Sequence, residues 1–143
     1  MCLGAREVEV VLPIGKLASR HFQYCEYELL QLAEQAHKAG AKIKAVFEAA
    51  WMNDEAKIVA SKICKRSSVD LASIATGCAD RPWSERDLHL MLWKCDPFTS
   101  VKATGIGTLE AALGLWEIGV RRLGTKDPVP MLEAWEKALA RPS

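Results

Sequence analysis

Strand-like and helix-like segments alternate along the whole 143-residue chain, and this alternation limits what the chain can fold into. Short β-branched runs predict strands, whereas leucines and alanines three to four residues apart predict helices. The predicted strands cover residues 7–13, 42–48, 69–75, 101–104 and 120–125. The predicted helices cover residues 27–39, 56–64, a segment opening at Ser84, 109–118 and 128–140. Such alternation predicts an α/β fold with a parallel sheet and right-handed crossovers.

No low-complexity linker or shift in composition divides the chain, so we expect residues 1–143 to form a single domain. Two architectures fit the pattern: a doubly wound open sheet and a closed eight-stranded barrel. The pattern of elements alone separates these two poorly.

The predicted strands carry apolar residues on one face and charged residues on the other, because side chains alternate between the faces of a strand. The apolar sets of the first two strands are Val8, Val10 and Leu12, and Ile43, Ala45 and Phe47. If helices cover those sets, the opposite face lines the interior of a barrel. The residues on that face are Glu9, Lys44, Glu48, Ser73 and Lys102. Since burying an unpaired charge is costly, such a cluster is either mutually paired or used in chemistry. The alternative is a solvent-exposed face in an open or incomplete sheet.

Charge and hydropathy exclude several classes of partner. Nineteen basic and eighteen acidic residues give a net charge of +1, so no single-sign field indicates nucleic acid or an anionic membrane. The longest apolar stretches, such as residues 111–116, are too short to span a bilayer. Met1 is followed closely by Arg6 and Glu7 with no apolar export segment, so we expect a soluble, cytoplasmic protein.

Neither a metal site nor a cofactor is predicted. Cys2, Cys25, Cys64, Cys78 and Cys95 lack paired spacing and are expected to be free, mostly buried thiols. The three histidines, which we expect at the surface without metal spacing, are His21, His37 and His89. Four tryptophans in predicted helices or their entries are expected to pack against the sheet, namely Trp83, Trp93, Trp116 and Trp135.

Five motifs carry a resemblance to a known family. They read E-V-E-V-V-L-P, I-K-A-V-F-E, D-L-A-S-I-A-T-G, V-K-A-T-G-I-G-T and R-R-L-G-T, at residues 7–13, 43–48, 70–77, 101–108 and 121–125. In order and spacing the chain resembles the deoxyribose-phosphate aldolases, class I lyases with a (β/α)8 barrel. The resemblance covers nearly the whole chain and matches the family's fourth to eighth strands. It therefore implies a partial TIM barrel of about five βα units.

The family joins acetaldehyde to glyceraldehyde 3-phosphate, or cleaves the product, through a lysine that forms a Schiff base. The resemblance assigns Lys102 to the lysine that lowers the pKa of that amine, Lys44 to an interior lysine, and Glu9 to the proton-relay aspartate. The Schiff-base lysine itself falls at Ser73, whose hydroxyl cannot form an iminium ion. From the residues alone, Lys102 and Glu9 are either catalytic or simply an interior ion pair.

The resemblance also implies a phosphate site. Thr76, Gly77 and Gly105 match residues that approach the substrate phosphate, and Gly107 lies in the same loop as Gly105. Glycines let backbone N–H groups come close to phosphate oxygens. The family's serine-bearing loop after the eighth strand is replaced here, with Lys126 gained, so the site is eroded.

Two functions from different classes remain open. One is a carbon–carbon lyase that uses Lys102 on a small aldehyde or sugar phosphate. The other is a catalytically inactive family member that acts as a structural or partner-binding module. A barrel needs eight strands in roughly 250 residues. With five strands and an edge at residues 7–12, we expect a homo-oligomer or a separate partner chain.

Overall fold

The computed structural model describes residues 4–78 and 80–140. Its strands are β1 (Glu7–Val11), β2 (Lys42–Val46), β3 (Leu71–Ser73), β4 (Ser100–Thr104) and β5 (Arg122–Gly124). Its helices are α1 (Ile14–Ala18), α2 (Phe22–Lys38), α3 (Asp54–Arg66), α4 (Glu85–Cys95), α5 (Leu109–Glu117) and α6 (Pro128–Leu139), with a 3-10 turn at Ala49–Trp51. The predicted α/β class and all five predicted strands are confirmed.

The strands form one parallel sheet in the order β1-β2-β3-β4-β5. A doubly wound sheet reverses its strand order at a switch point, whereas this order follows the sequence from edge to edge. The sequential order therefore favours the barrel over the doubly wound alternative.

The sheet is strongly curved, as a contact between its two edge strands reveals. Arg122 Nη1 on β5 donates to Glu7 Oε2 on β1 at 2.5 Å. In a flat sheet these edge strands would lie about 19 Å apart, at roughly 4.8 Å per strand. Two side chains cannot span that distance, so the sheet curves toward its charged face.

The helices begin where side chains can satisfy their first amide groups. Asn53 Oδ1 accepts from the Ala56 amide at 2.8 Å, and this cap starts α3. Ser84 Oγ accepts from the Asp87 amide while Asp87 accepts from the Ser84 amide, and this capping box starts α4 at the residue where the sequence predicts that the helix opens.

Two parts of the helix prediction were wrong. Helix α2 begins at Phe22 rather than at residue 27, because Cys25 extends the buried stripe of Leu29, Ala33 and Ala36 by one turn. The short α1 and the 3-10 turn were not predicted, since neither is long enough to show a helical period.

The core lies between the convex face of the sheet and the helices. The set on β2 belongs to it, with Phe47 and Ala45 fully buried, whereas of the first set Leu12 is buried and Val8 and Val10 pack against the core partly buried. The prediction for the tryptophans was largely wrong: Trp93, Trp116 and Trp135 are about half or more exposed. Only Trp83 is partly buried against the core. None of the helices in the described part of the chain is long and apolar enough to cross a membrane.

Candidate active site

The concave face carries a cluster of charged side chains from β1, β2, β4 and β5. Lys44 Nζ contacts a carboxylate oxygen of Glu7 and lies 2.5 Å from Glu9 Oε1. Lys102 Nζ lies 3.4 Å from the same oxygen of Glu9. With Arg122 on Glu7, three cations surround two carboxylates. The structure thus brings together the three residues predicted to be catalytic, Lys102, Glu9 and Lys44.

The two lysines of this cluster differ in their surroundings. The side chain of Lys44 is only 5% exposed. Burial acts to lower its pKa, but hydrogen bonds to Glu7 and Glu9 outweigh burial and raise the pKa above its ordinary value. The Lys44 hydrogen bond correspondingly holds the pKa of each glutamate below its ordinary value. Lys44 is therefore held as an ammonium ion and is a poor nucleophile.

Lys102 is the more accessible amine, with 22% of its side chain exposed and a longer contact to Glu9. It pairs in register with Ser73 on β3 and Arg122 on β5. A Cβ at Gly124 would come within 3.3 Å of Lys102 Cε. Glycine at position 124 therefore leaves room for the lysine chain.

Ser73 plays a structural part on this face. The residue is 1% exposed, and its hydroxyl donates to the Ala75 carbonyl at 3.1 Å. Thr104 Oγ1 donates to the same carbonyl at 3.2 Å. The serine hydroxyl is thus engaged in closing the end of β3, as expected for an inert small residue.

Glu48 was predicted to converge on the lysines, and this prediction was wrong. Its backbone is left-handed at φ 49°, and its Oε1 accepts from the Thr76 amide at 2.7 Å. The strand β2 ends at Val46, so the alternation of faces no longer applies at residue 48.

The residues predicted to approach phosphate lie in the loops after β3 and β4. Gly77 and Gly105 both have positive φ, at 86° and 82°. They line a cavity of about 350 Å³ together with Arg81, Trp83 and Thr104. Thr76 precedes Gly77, whereas Gly107 lines a neighbouring cavity of about 440 Å³. Arg81 supplies a cation that the motif-based prediction missed.

Comparison with known proteins shows that the chain is similar to one group of enzymes over part of their length. No family model matches the chain. It is 32% identical over 131 residues to the deoxyribose-phosphate aldolase of Thermococcus kodakarensis, covering 91% of this chain and 58% of that protein. It is 31% identical over 141 residues to the enzyme of that name from Rhodopirellula baltica, covering 98% and 58%. The chain is related to the deoxyribose-phosphate aldolases. It spans about 60% of the length of these relatives.

Solved structures agree with this relationship. An aldolase designated QR15 superposes with a TM-score of 0.86 at 26% identity, covering 96% of this chain and 63% of that one. The tetrameric deoxyribose phosphate aldolase of Aeropyrum pernix superposes with a TM-score of 0.81 at 23% identity, over 94% and 57%. The fold of this aldolase relative is therefore a partial TIM barrel.

Sequence reasoning missed two members of the charged cluster in this aldolase relative. Strand alternation places Glu7 on the same face as Glu9, two residues away, but the predicted cluster did not include it. Arg122 could not be found this way, because its position depends on the register of β4 with β5.

None of the cysteines and histidines in the described part of the chain joins the charged cluster. Cys25, Cys64 and Cys95 are buried free thiols, as predicted; Cys78 is exposed, and Cys2 lies outside the described residues. Burial raises the pKa of Cys95 to about 11, so its thiol is not reactive. His37, exposed as predicted, bonds Asp70 at 2.9 Å near the other end of the sheet.

Proposed function

We propose that this chain is an aldolase-like protein whose remaining chemistry is the capture of a carbonyl group by Lys102, with Glu9 as the proton carrier. The observation that carries the proposal is the contact between Lys102 Nζ and Glu9 Oε1 at 3.4 Å on the concave face. Lys44 is held by two carboxylates and Ser73 has no amine, so Lys102 is the candidate nucleophile of this cluster.

In the proposed step Lys102 passes a proton to Glu9 only as the carbonyl group arrives, because Lys44 lowers the pKa of Glu9 and favours its carboxylate form. The neutral amine then attacks the carbonyl carbon of an aldehyde, and its second proton moves to the oxygen to give a carbinolamine. Loss of water forms the C=N bond, with Glu9 returning the proton that the departing oxygen needs. Lys44 keeps Glu9 in position through its 2.5 Å hydrogen bond.

The proposed substrates are small aldehydes and sugar phosphates. The relatives' name supports this class, and Thr76, Gly77, Gly105 and Gly107 provide the proposed contacts to phosphate. For Gly77 and Gly105, positive φ supports the role, because glycine backbone with open space beside it allows close approach of a ligand.

Borohydride trapping tests this function. Reduction in the presence of acetaldehyde or glyceraldehyde 3-phosphate should add the mass of the reduced adduct to the Lys102 peptide. A Lys102→Arg variant keeps the positive charge and should lose the adduct, while a Lys62→Arg variant should keep it. Absence of an adduct at Lys102 in the parent chain, under conditions that label the Thermococcus kodakarensis aldolase, would refute the proposal.

A second candidate function is a non-catalytic, partner-binding module. The observation that favours it is the exposed apolar surface beside β5, which includes Trp116, Leu132 and Trp135. Buried apolar area drives association, and the open edges β1 and β5 of the sheet offer unpaired backbone groups.

A Ser73→Lys substitution separates the two candidates. Ser73 pairs in register with Lys102, so a lysine there would place a second amine beside Lys102. Weak cleavage of deoxyribose 5-phosphate by the folded variant would support a preserved aldolase site. Inactivity of the folded variant, together with no adduct on the parent chain, would favour the binding module.

The proposal includes self-association of the chain through the apolar surface beside β5. Light scattering coupled to size exclusion at micromolar concentration should give a mass above that of the 15.8 kDa chain. Replacing Trp135 by Glu should reduce that mass, whereas Tyr27→Glu on the exposed face of α2 should not. A sharp monomer peak for the parent chain would contradict this part of the proposal. The free cysteines Cys25, Cys64 and Cys95 support the proposed cytoplasmic location, where thiols are kept reduced.

A further inference from the structure

Three consecutive residues of the segment that follows β2 form hydrogen bonds with the end of β3 and the turn after it. The amides of Phe47 and Ala49 donate to the carbonyls of two adjacent residues of the β3 end, each at 2.9 Å. Between them, Glu48 Oε1 accepts from the Thr76 amide at 2.7 Å. The carboxylate of Glu48 thus holds the first residue of the Thr76–Gly77 turn.

A glutamate at position 48 is unfavourable for stability by itself. Its backbone is left-handed, a conformation that residues with a Cβ rarely adopt. The residue is 7% exposed, and among the described residues its Oε2 has no hydrogen-bond partner. Buried polar atoms without partners and strained backbone both cluster at functional sites. Packing therefore does not explain why a glutamate occupies position 48.

A second contact joins the same two segments next to the cavity described above. The guanidinium carbon of Arg81 lies 5.9 Å from the centre of the Trp51 ring, within the range of a cation–π contact. Arg81 lines the cavity of about 350 Å³ with Gly77 and Gly105. The segment after β2 thus contacts both the turn and the cation that border this cavity.

We propose that Glu48 and Trp51 are positioning residues that hold the Thr76–Gly77 turn and Arg81 around a pocket for the anionic group of the ligand. Glu48 fixes the turn through the Thr76 amide, and Trp51 restrains the Arg81 side chain. Neither residue needs to touch the ligand. The inference rests on the proposed phosphate contacts and adds the groups that set their geometry.

The ligand class follows from the groups that border the cavity. Backbone at positive φ and a guanidinium favour a phosphate or carboxylate group, because both provide donors to anionic oxygens. The carboxylate of Glu48 opposes such a ligand electrostatically, so its contribution is geometric. A substitution that keeps the acceptor and removes the charge therefore separates geometry from charge.

Inorganic phosphate is the probe for this test. A titration of the isotope-labelled chain, followed by the backbone amide signals of Gly77 and Gly105, gives a dissociation constant without requiring catalysis. Glu48→Gln keeps an oxygen that can accept from the Thr76 amide, so phosphate binding should be equal or tighter. Glu48→Ala removes the acceptor and should weaken binding about tenfold, the equivalent of one hydrogen bond.

Asp70→Ala is the matched control. Asp70 Oδ2 accepts from the Ile43 amide at 2.9 Å near the opposite end of the sheet. Its removal deletes a comparable contact between a carboxylate and a backbone amide, so it should lower the unfolding free energy without changing phosphate affinity. Trp51→Leu should weaken phosphate binding by about twofold to fivefold, the size of an exposed cation–π contact.

The outcomes separate this inference from the proposed function. If Glu48→Ala folds and binds phosphate as the parent does, or if Glu48→Ala and Glu48→Gln both bind more tightly, the positioning role is wrong. If the parent chain shows no phosphate-dependent shift at Gly77 or Gly105, the phosphate site itself fails along with it. Borohydride labelling of Lys102 is independent of either result.

Discussion

The two lateral ends of the sheet, at its edge strands β1 and β5, are packed very differently, although both are built from βα units. Helices α2 and α3 bury four and six residues, and α4 buries three. Helix α5 buries only Ala112, and none of the described residues of α6 is buried. Helix α3 has neighbours on both sides, whereas α6 lies beside the open edge at β5. The burial of a unit is thus set by its neighbours as well as by its own apolar residues.

The largest expected change in unfolding free energy comes from truncating a core side chain, and the same truncation at the other end of the sheet serves as the comparison. Phe47→Ala removes a fully buried ring and should lower the unfolding free energy by about 3–5 kcal/mol. Leu132→Ala on α6 removes a side chain that is 53% exposed in the single chain, so at concentrations too low for self-association it should change the unfolding free energy by less than about 0.5 kcal/mol. Urea unfolding measures both. Equal losses would mean that α6 is covered in solution.

A smaller effect is expected from the buried ion pair between α3 and α4. The Lys57 side chain is 4% exposed and contacts Asp87 and Asp54. Lys57→Met leaves a carboxylate nearly buried without its partner and should lower the unfolding free energy by about 3 kcal/mol. The exposed pair of Arg20 with Glu55 is the control, and Arg20→Ala should cost less than about 1 kcal/mol. A Lys57 variant as stable as the control would contradict the role assigned to burial.

Removing helix caps compares the same two ends through smaller losses of stability, of about 1 kcal/mol. Ser84→Ala removes the capping box of α4 and should cost roughly 1 kcal/mol of global stability. Thr108 caps α5 through the Ala111 amide at 3.2 Å, but α5 buries little. Thr108→Ala should therefore increase amide exchange within α5 and affect global unfolding less than Ser84→Ala. The reverse ranking would show that α5 belongs to the same cooperative unit as α4.

The smallest expected effect is pH dependence from the cluster that links the two ends. Lys44 depresses the pKa of Glu7 and Glu9 in the folded chain, so their ionisation favours the folded state. This stability is present above their ordinary pKa of 4.5 and is lost as pH falls through the lower folded value. A Glu7→Gln, Glu9→Gln double variant should show a shallower loss of stability below pH 4.5 in thermal melts. An unchanged acid profile would mean that other carboxylates dominate it.

Part of the site was predictable because strand alternation is a local rule. Glu9, Lys44 and Lys102 were placed on one face from the sequence, and the structure has them there. Glu48 was misplaced because β2 ends two residues earlier and the backbone turns left-handed. The exposure of Trp93, Trp116 and Trp135 was missed because an apolar residue in a helix does not reveal whether a neighbouring element covers it.

The sequence by itself determined the α/β class, the five strands, the charged face and the start of α4. These features depend on alternation, helical spacing and capping, which act over a few residues. Only the tertiary structure decided that Arg122 meets Glu7, that Glu48 holds the Thr76 amide and that Arg81 joins Gly77 and Gly105. Those contacts join different strands and loops, and they follow from how the sheet curves and how its strands are aligned, which depends on the whole sheet rather than on a few neighbouring residues.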